Sequence, residues 1–396
     1  TVVAAAATAL YITSTAQTLM AGSVSSVVNV QARDTYGNIA TGFSGTVSIA
    51  TTSGTMKFDT SSTGSFNGTV TSITLSAGAG SFYFKDTTAG SHTITVSATG
   101  LTSANQVETV NAGSAVKLAI TSVAQTVTAG VVSSVVSVQA QDTYGNLASS
   151  NAVVSIASTS GTMRFDTSAA GLFNGTITSI TLSAGSGSFY FKDTTAGSHT
   201  VTVSTIGLTS TSQVETVMAA TATALYITST AQTVVAGAVS SAVTVEARDS
   251  YGNVATGFGG TVNLSSTSGT MRFDISAAGL FNGTVTSITL SGGTGSFYFK
   301  DTKVGSPTIT ISAAGLTPAS QIETITPAPA SALYITSAAQ TAVAGAVSSV
   351  VTVEVRDAFG NIVTGFGSAV NLSSTSGTMK FDTSSTGPFN GTVTSI

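Results

Sequence analysis

A repeat of near 108 residues constrains this chain more than any local motif. The segments RDTYGN, QDTYGN, RDSYGN and RDAFGN place Asp34, Asp142, Asp249 and Asp357 at spacings of 108, 107 and 108. The triplet FNG keeps the same beat, starting at Phe66, Phe173, Phe281 and Phe389, and FYFKD starts at Phe82, Phe189 and Phe297. Units of this length are complete domains, unlike the 20–50-residue units of solenoids, so each copy can bury a core of its own. The expected organisation is a linker over 1–7, repeats over 8–112, 115–220 and 223–328, and an incomplete fourth repeat over 331–396. The ends are out of phase with the repeats: TVVAAAATAL at 1–10 parallels TVMAATATAL at 216–225, and Ile396 matches Ile288 and Ile73. The segment corresponding to 74–108 therefore has no counterpart in the fourth copy. Two expectations follow: a window of a longer array cut inside its last repeat, or a last repeat completed in trans by strands of a neighbouring chain.

Within a repeat the hydrophobic period is two. Val28, Val30 and Ala32 alternate with Asn29, Gln31 and Arg33, and Val243, Val245 and Ala247 repeat the pattern in the third copy, which predicts a half-buried strand. The stretches 10–13, 45–50, 68–75, 81–86 and 92–98 share its Thr, Val, Ile and Phe enrichment and are separated by Gly, Ser, Asn and Asp. Seven or eight short strands per repeat, with turn signals every ~8–12 residues and no helical pattern, predict an all-β chain of tandem immunoglobulin-like antiparallel β-sandwiches. Phe58, Phe66, Phe82, Phe84, Ile94 and Val96 are the expected core of the first repeat, with Tyr11 and Met56 partly buried. Asn-Gly in NGT predicts a type I′ hairpin turn, and the Gly-rich SAGAGSF at 76–82 a wide hairpin. The linkers NAGSA (111–115), MAATATA (218–224) and TPAPAS (326–331) are short, and Pro327 and Pro329 stiffen the third, so a semi-rigid array is expected.

The order AGSVSSVVNVQARDTYGNIATGFSGTVSI, followed by GSFYFKDTTAGSHTITVSATG, resembles the bacterial Ig-like group 1 repeats of invasin and intimin type. It is also similar to the tandem Ig-like repeats of very large prokaryotic surface proteins. The matching positions are Ala21 and Gly22 before the first long strand, Asp34, Gly37 and Asn38 in the D-x-x-G-N turn, Gly45 and Val47 in the next strand, and Ala89, Gly90 and 93–98 in the closing strand. The resemblance spans every complete repeat, and a longer insert, FDTSSTGSFNGTVTS, sets this chain apart. It implies an extracellular, cell-surface rod or stalk that displays or spaces something.

The residues themselves support no catalytic centre. His92 and His199 are repeat equivalents, and Pro307 takes their place in the third copy, so no reaction common to the repeats uses them. Met56, Met163, Met271 and Met379 recur before a basic residue and Phe, as packing residues do. Zero Cys excludes disulfides and thiolate metal sites. With 12 basic and 16 acidic residues and no basic cluster, nucleic acid is not an expected partner. The apolar residues are interleaved with Thr, Ser and Gly and never run for ~18 positions, so direct membrane insertion is not expected either.

The D-x-x-G-N turn has two readings. Either the Asp caps backbone amides two or three residues on, with Gly37 and Asn38 tolerating positive φ, or Asp34, Asp142, Asp249 and Asp357 are calcium ligands. Asn67, Asn174, Asn282 and Asn390 stand in N-G-T, which is also a glycosylation acceptor, and Asn263 and Asn371 in N-L-S are weaker candidates. Only 7% of the residues are charged, against roughly 25–35% of a surface built for colloidal stability. Either sugars cover the surface or identical chains and neighbouring repeats touch one another. The expected function is a non-enzymatic structural segment of a long secreted surface protein, a self-associating stalk, fibre or sheath. The alternatives are an adhesin or carbohydrate-binding array using Tyr36, Tyr144 and Tyr251, or a passive spacer for a functional domain elsewhere.

Overall fold

The computed structural model describes residues 2–396. All regular elements among them are β-strands, and no helix is long and apolar enough to cross a membrane. The chain divides into two compact units, one ending at Met218 and the other beginning at Ala219. The first unit holds two sandwiches; the second holds one sandwich and the fourth repeat.

The first repeat has nine strands: β1 (Ala9–Ile12), β2 (Thr18–Met20), β3 (Val28–Arg33), β4 (Thr46–Thr51), β5 (Lys57–Asp59), β6 (Ser72–Thr74), β7 (Ala79–Lys85), β8 (Gly90–Ser97) and β9 (Ala104–Asn111). One sheet has the order β1-β3-β7-β5 and the other β2-β9-β8-β4-β6. Neighbours within each sheet are antiparallel except β2 and β9, which run parallel. The pleat sends alternate residues to opposite faces. Val28, Val30 and Ala32 thus enter the core with Phe82 and Phe84 of β7 and Ile94 and Val96 of β8. Phe58 meets Phe82 edge to face at 5.5 Å between ring centroids, and Phe165 with Phe189 and Phe273 with Phe297 repeat the contact. The immunoglobulin-like sandwich is the fold of each of the first three repeats.

Several local expectations change. Met56 is fully buried, whereas Tyr11 is 44% exposed with the Arg33 guanidinium 5.1 Å above its ring. Arg33, the last residue of β3, donates to the Gln31 side chain, while Asp34 turns inward. Phe66 is only partly buried and stays outside the core. The strand expected over 68–75 shrinks to Ser72–Thr74.

The two turn assignments exchange places. The N-G-T segment is not a type I′ hairpin. It lies in the crossover between β5, which pairs β7, and β6, which pairs β4 in the opposite sheet. Positive φ falls on Phe66 (46°) and Gly68 (85°), not on Asn67, because the Asn side chain folds forward onto Thr69 instead. The tight two-residue loop is Ala77-Gly78, with φ of 48° and 75°, closed by hydrogen bonds in both directions between Ser76 and Ala79. Positive φ at both central residues is the type I′ signature.

The fourth repeat forms one hairpin, Ala330–Ile335 with Val353–Asp357, and isolated bridges such as Phe381 with Val393.

Candidate functional site: the seam between consecutive repeats

The chemistry-bearing groups converge where one repeat meets the next. On the upstream side is the loop following β7. Asp86 is fully buried; its Oδ1 accepts from the Thr55 hydroxyl and from the Thr88 amide at 3.1 Å, and its carbonyl accepts from Gly22 N at 2.7 Å. His92 Nε2 lies 3.0 Å from the Thr88 carbonyl and 3.7 Å from Asp86 Oδ2. This scaffolding leaves the Thr87 carbonyl and the Ala89 amide for a partner.

The partner is the D-x-x-G-N turn of the second repeat. Asp142 Oδ1 accepts from the amides of Tyr144 and Asn146, both at 2.9 Å, and Gly145 takes φ 91°. Asp142 Oδ2 accepts from the linker amide of Gly113 at 2.9 Å and from Asn146 Nδ2 at 2.8 Å. Held this way, the Asn146 carboxamide bonds the upstream loop with both ends: Oδ1 accepts from Ala89 N at 2.9 Å and Nδ2 donates to the Thr87 carbonyl at 2.8 Å. The geometry mimics one rung of a β-ladder, made by a side chain. Tyr144 completes the contact over Gly22. A Cβ on Gly22 would stand 2.0 Å from the Tyr144 hydroxyl oxygen, and Gly22 has φ 82°, so both space and backbone demand glycine there.

The third and fourth repeats repeat the arrangement within the second unit. Asn361 Oδ1 accepts from Val304 N at 3.1 Å, Nδ2 donates to the Thr302 carbonyl at 2.8 Å, and Asp357 Oδ2 accepts from Asn361 Nδ2 at 2.8 Å and from the linker amide of Ala328 at 3.0 Å. Phe359 stands where Tyr144 does, its ring 2.3 Å from a Cβ built on Gly237. In the first repeat the same turn forms, with Ala5 N donating to Asp34 Oδ2 at 3.0 Å, but Asn38 bonds only its own Asp34 among the described residues. Tyr36 is correspondingly 83% exposed, against 47% for Tyr144.

Burial by itself would raise the carboxyls of Asp34, Asp142, Asp249 and Asp357. The hydrogen bonds from the Asn side chain, the linker amide and the turn amides outweigh it and hold all four below the ordinary Asp value. Each carboxylate therefore faces N–H donors rather than other oxygens. The donor set calcium prefers is six to eight oxygens, and no group of three His, Asp or Glu side chains that could hold a metal occurs among the described residues. Glu108 and Glu215 behave oppositely: burial raises them, against a lowering hydrogen bond from Gln17 N and Gln125 N respectively, and their Oε1 atoms are buried without a partner. Met56, Met163 and Met271 are core side chains.

Sequence reasoning treated the AG step, the DTTAG loop and the D-x-x-G-N turn as separate features and missed that they are complementary. The signal was present in the turn itself. Its positive φ is confined to Gly37, Gly145, Gly252 and Gly360, so backbone conformation leaves the recurrent Asn unexplained.

No family model matches the chain, and no curated protein matches it. Among solved structures, it is similar to invasin, a bacterial integrin-binding protein, at 15% identity and a TM-score of 0.34 over 83% of this chain and 62% of that one. The Escherichia coli adhesin FdeC matches at 16% identity and a TM-score of 0.37 over 82% of this chain and 99% of that one. The S-layer protein SbsC matches at 16% identity and a TM-score of 0.27 over 93% and 46%. The chain thus spans less than two thirds of the invasin and SbsC chains. At this level of superposition no function carries across, and the sandwich assignment stands on strand order and register.

Proposed function

We propose that this chain is a structural segment of a cell-surface protein, a non-enzymatic stalk whose stiffness is set at the seams. The observation that carries the reading is the Asn146 clamp with its counterpart at Asn361. A flexible tether would need only the linker. Here an aspartate ties the linker, the turn and the clamping Asn together, and a glycine is kept free for the neighbour's aromatic ring. Two hydrogen bonds per clamp contribute about 1–3 kcal/mol together, enough to bias how neighbouring repeats sit without fusing them.

Extracellular placement and self-association belong to the same proposal. The surface carries few charges to keep identical chains apart. Of the tyrosines that a carbohydrate-binding array would use, Tyr144 packs against the preceding repeat and Tyr36 stands exposed. Negative-stain imaging with sedimentation velocity tests the proposal. Extended particles that associate as concentration rises are expected, and compact particles that stay monomeric would overturn it.

A further inference from the structure

Four loops, one in each repeat, share an unusual uniformity. Asn67 Oδ1 accepts both the amide and the hydroxyl of Thr69, at 3.0 and 2.6 Å. Asn174 does the same with Thr176 at 3.1 and 2.7 Å, Asn282 with Thr284 at 3.1 and 2.7 Å, and Asn390 with Thr392 at 3.0 and 2.6 Å. All four Asn are exposed. Their Nδ2 atoms have no hydrogen-bond partner among the described residues, whereas the seam Asn146 and Asn361 spend theirs on neighbours. The turn is built from behind: Asp59 Oδ2 accepts from Phe66 N at 3.4 Å, and Phe66 and Gly68 take positive φ.

The geometry points to these four asparagines as acceptors for N-linked glycan, and separates them from the two other N-x-S/T tripeptides. An amide nitrogen is a poor nucleophile because its lone pair is delocalised onto oxygen. Two donors on Oδ1 stabilise the negative oxygen that develops as Nδ2 loses a proton, so the turn prepares that nitrogen for attack. Asn263 lies in the strand Thr261–Ser266, and its Ser265 hydroxyl donates to the Thr310 carbonyl instead. Asn371 is bridged in extended pairing to Ser395. A strand carries residues i and i+2 ~6.5–7 Å apart, which denies these Asn the hydroxyl.

The co-reactant is a polyprenyl-phosphate-linked oligosaccharide. The bond from sugar C1 to the phosphate oxygen breaks, the C1–Nδ2 bond forms, the Nδ2 proton passes to a base of the transferase, and polyprenyl phosphate leaves. Glycans at these places would recur once per repeat on a surface that has few charges of its own.

The test incubates the purified folded chain with an oligosaccharyltransferase and its lipid-linked donor, with an acceptor peptide in the same tube reporting turnover, and maps the products by peptide mass. A second sample is cleaved at Lys and Arg before the reaction. Oligosaccharide increments are expected on the folded chain at Asn67, Asn174, Asn282 and Asn390, with Asn263 and Asn371 modified only after cleavage. Thr176→Val should remove the increment at Asn174 alone, and Thr176→Ser should retain it. Equal modification of both classes in the folded chain would overturn the assignment, as would N-G-T sites that stay bare while the control peptide is modified.

Discussion

The third and fourth repeats carry closely similar residues as far as GTVTSI, yet only the third has a core. Leu225 is 2% exposed and its counterpart Leu333 54%; Val243 is fully buried and Val351 is 52% exposed; Met271 is 4% exposed and Met379 56%. What residues 331–396 lack is any counterpart of the strands Thr294–Lys300 and Thr308–Ser312, which sit inside the two sheets of the third repeat. The apolar alternation selects which side chains face inward. Burial itself comes from central strands that are distant in sequence. By contrast, the Asp357 turn forms in the fourth repeat with the bonds of Asp249 in the third, and it still clamps the preceding loop. The turn is local chemistry over a few residues, and so it forms where the core does not.

The largest effect that sharpens this comparison comes from completion. Extending the chain with a copy of residues 289–328 after Ile396 should convert the fourth repeat into a cooperative domain worth roughly 5–15 kcal/mol. Hydrogen exchange would then show slow amides at Val351 and Val353, and fast exchange after extension would contradict the account. Next, Phe297→Ala should cost the third repeat about 3–5 kcal/mol, read as a lowered denaturant midpoint. Met379→Ala, at the exposed counterpart of the buried Met271, should cost the unextended fourth repeat almost nothing.

Smaller effects fall on the seam. Asn361→Ala should leave the third repeat's stability within about 0.5 kcal/mol, as for changes away from a core, while raising exchange at Val304. The lowered Asp carboxyls set a pH dependence with a definite sign. Their stabilisation is present above the unfolded Asp value of 3.8 and is lost as pH falls through the still lower folded values. Exchange at Ala89 and Val304 should thus be insensitive to the state of these groups near neutrality and accelerate selectively below about pH 4.

Much of the fold was legible in the sequence because it is strongly patterned: the alternation at 28–33 placed Val28, Val30 and Ala32 in the core. The N-G-T assignment failed because Asn-Gly propensity describes an isolated hairpin. Here β5 and β6 belong to opposite sheets, and Ala77-Gly78 supplies the tight turn. The seam was hidden for a different reason. Asn146 satisfies groups 57 and 59 residues away, and no pattern within one repeat encodes a bond to the next.

The central claim is that the Asn clamp restrains the second repeat against the first, and the fourth against the third. The chain has no Cys, so two engineered cysteines, Ser48→Cys in the first repeat and Ser155→Cys in the second, give an unambiguous spin-labelled pair at exposed strand positions. Double electron–electron resonance should show one narrow distance distribution that broadens when Asn146→Ala is added. An equally broad distribution with and without Asn146 would contradict the account.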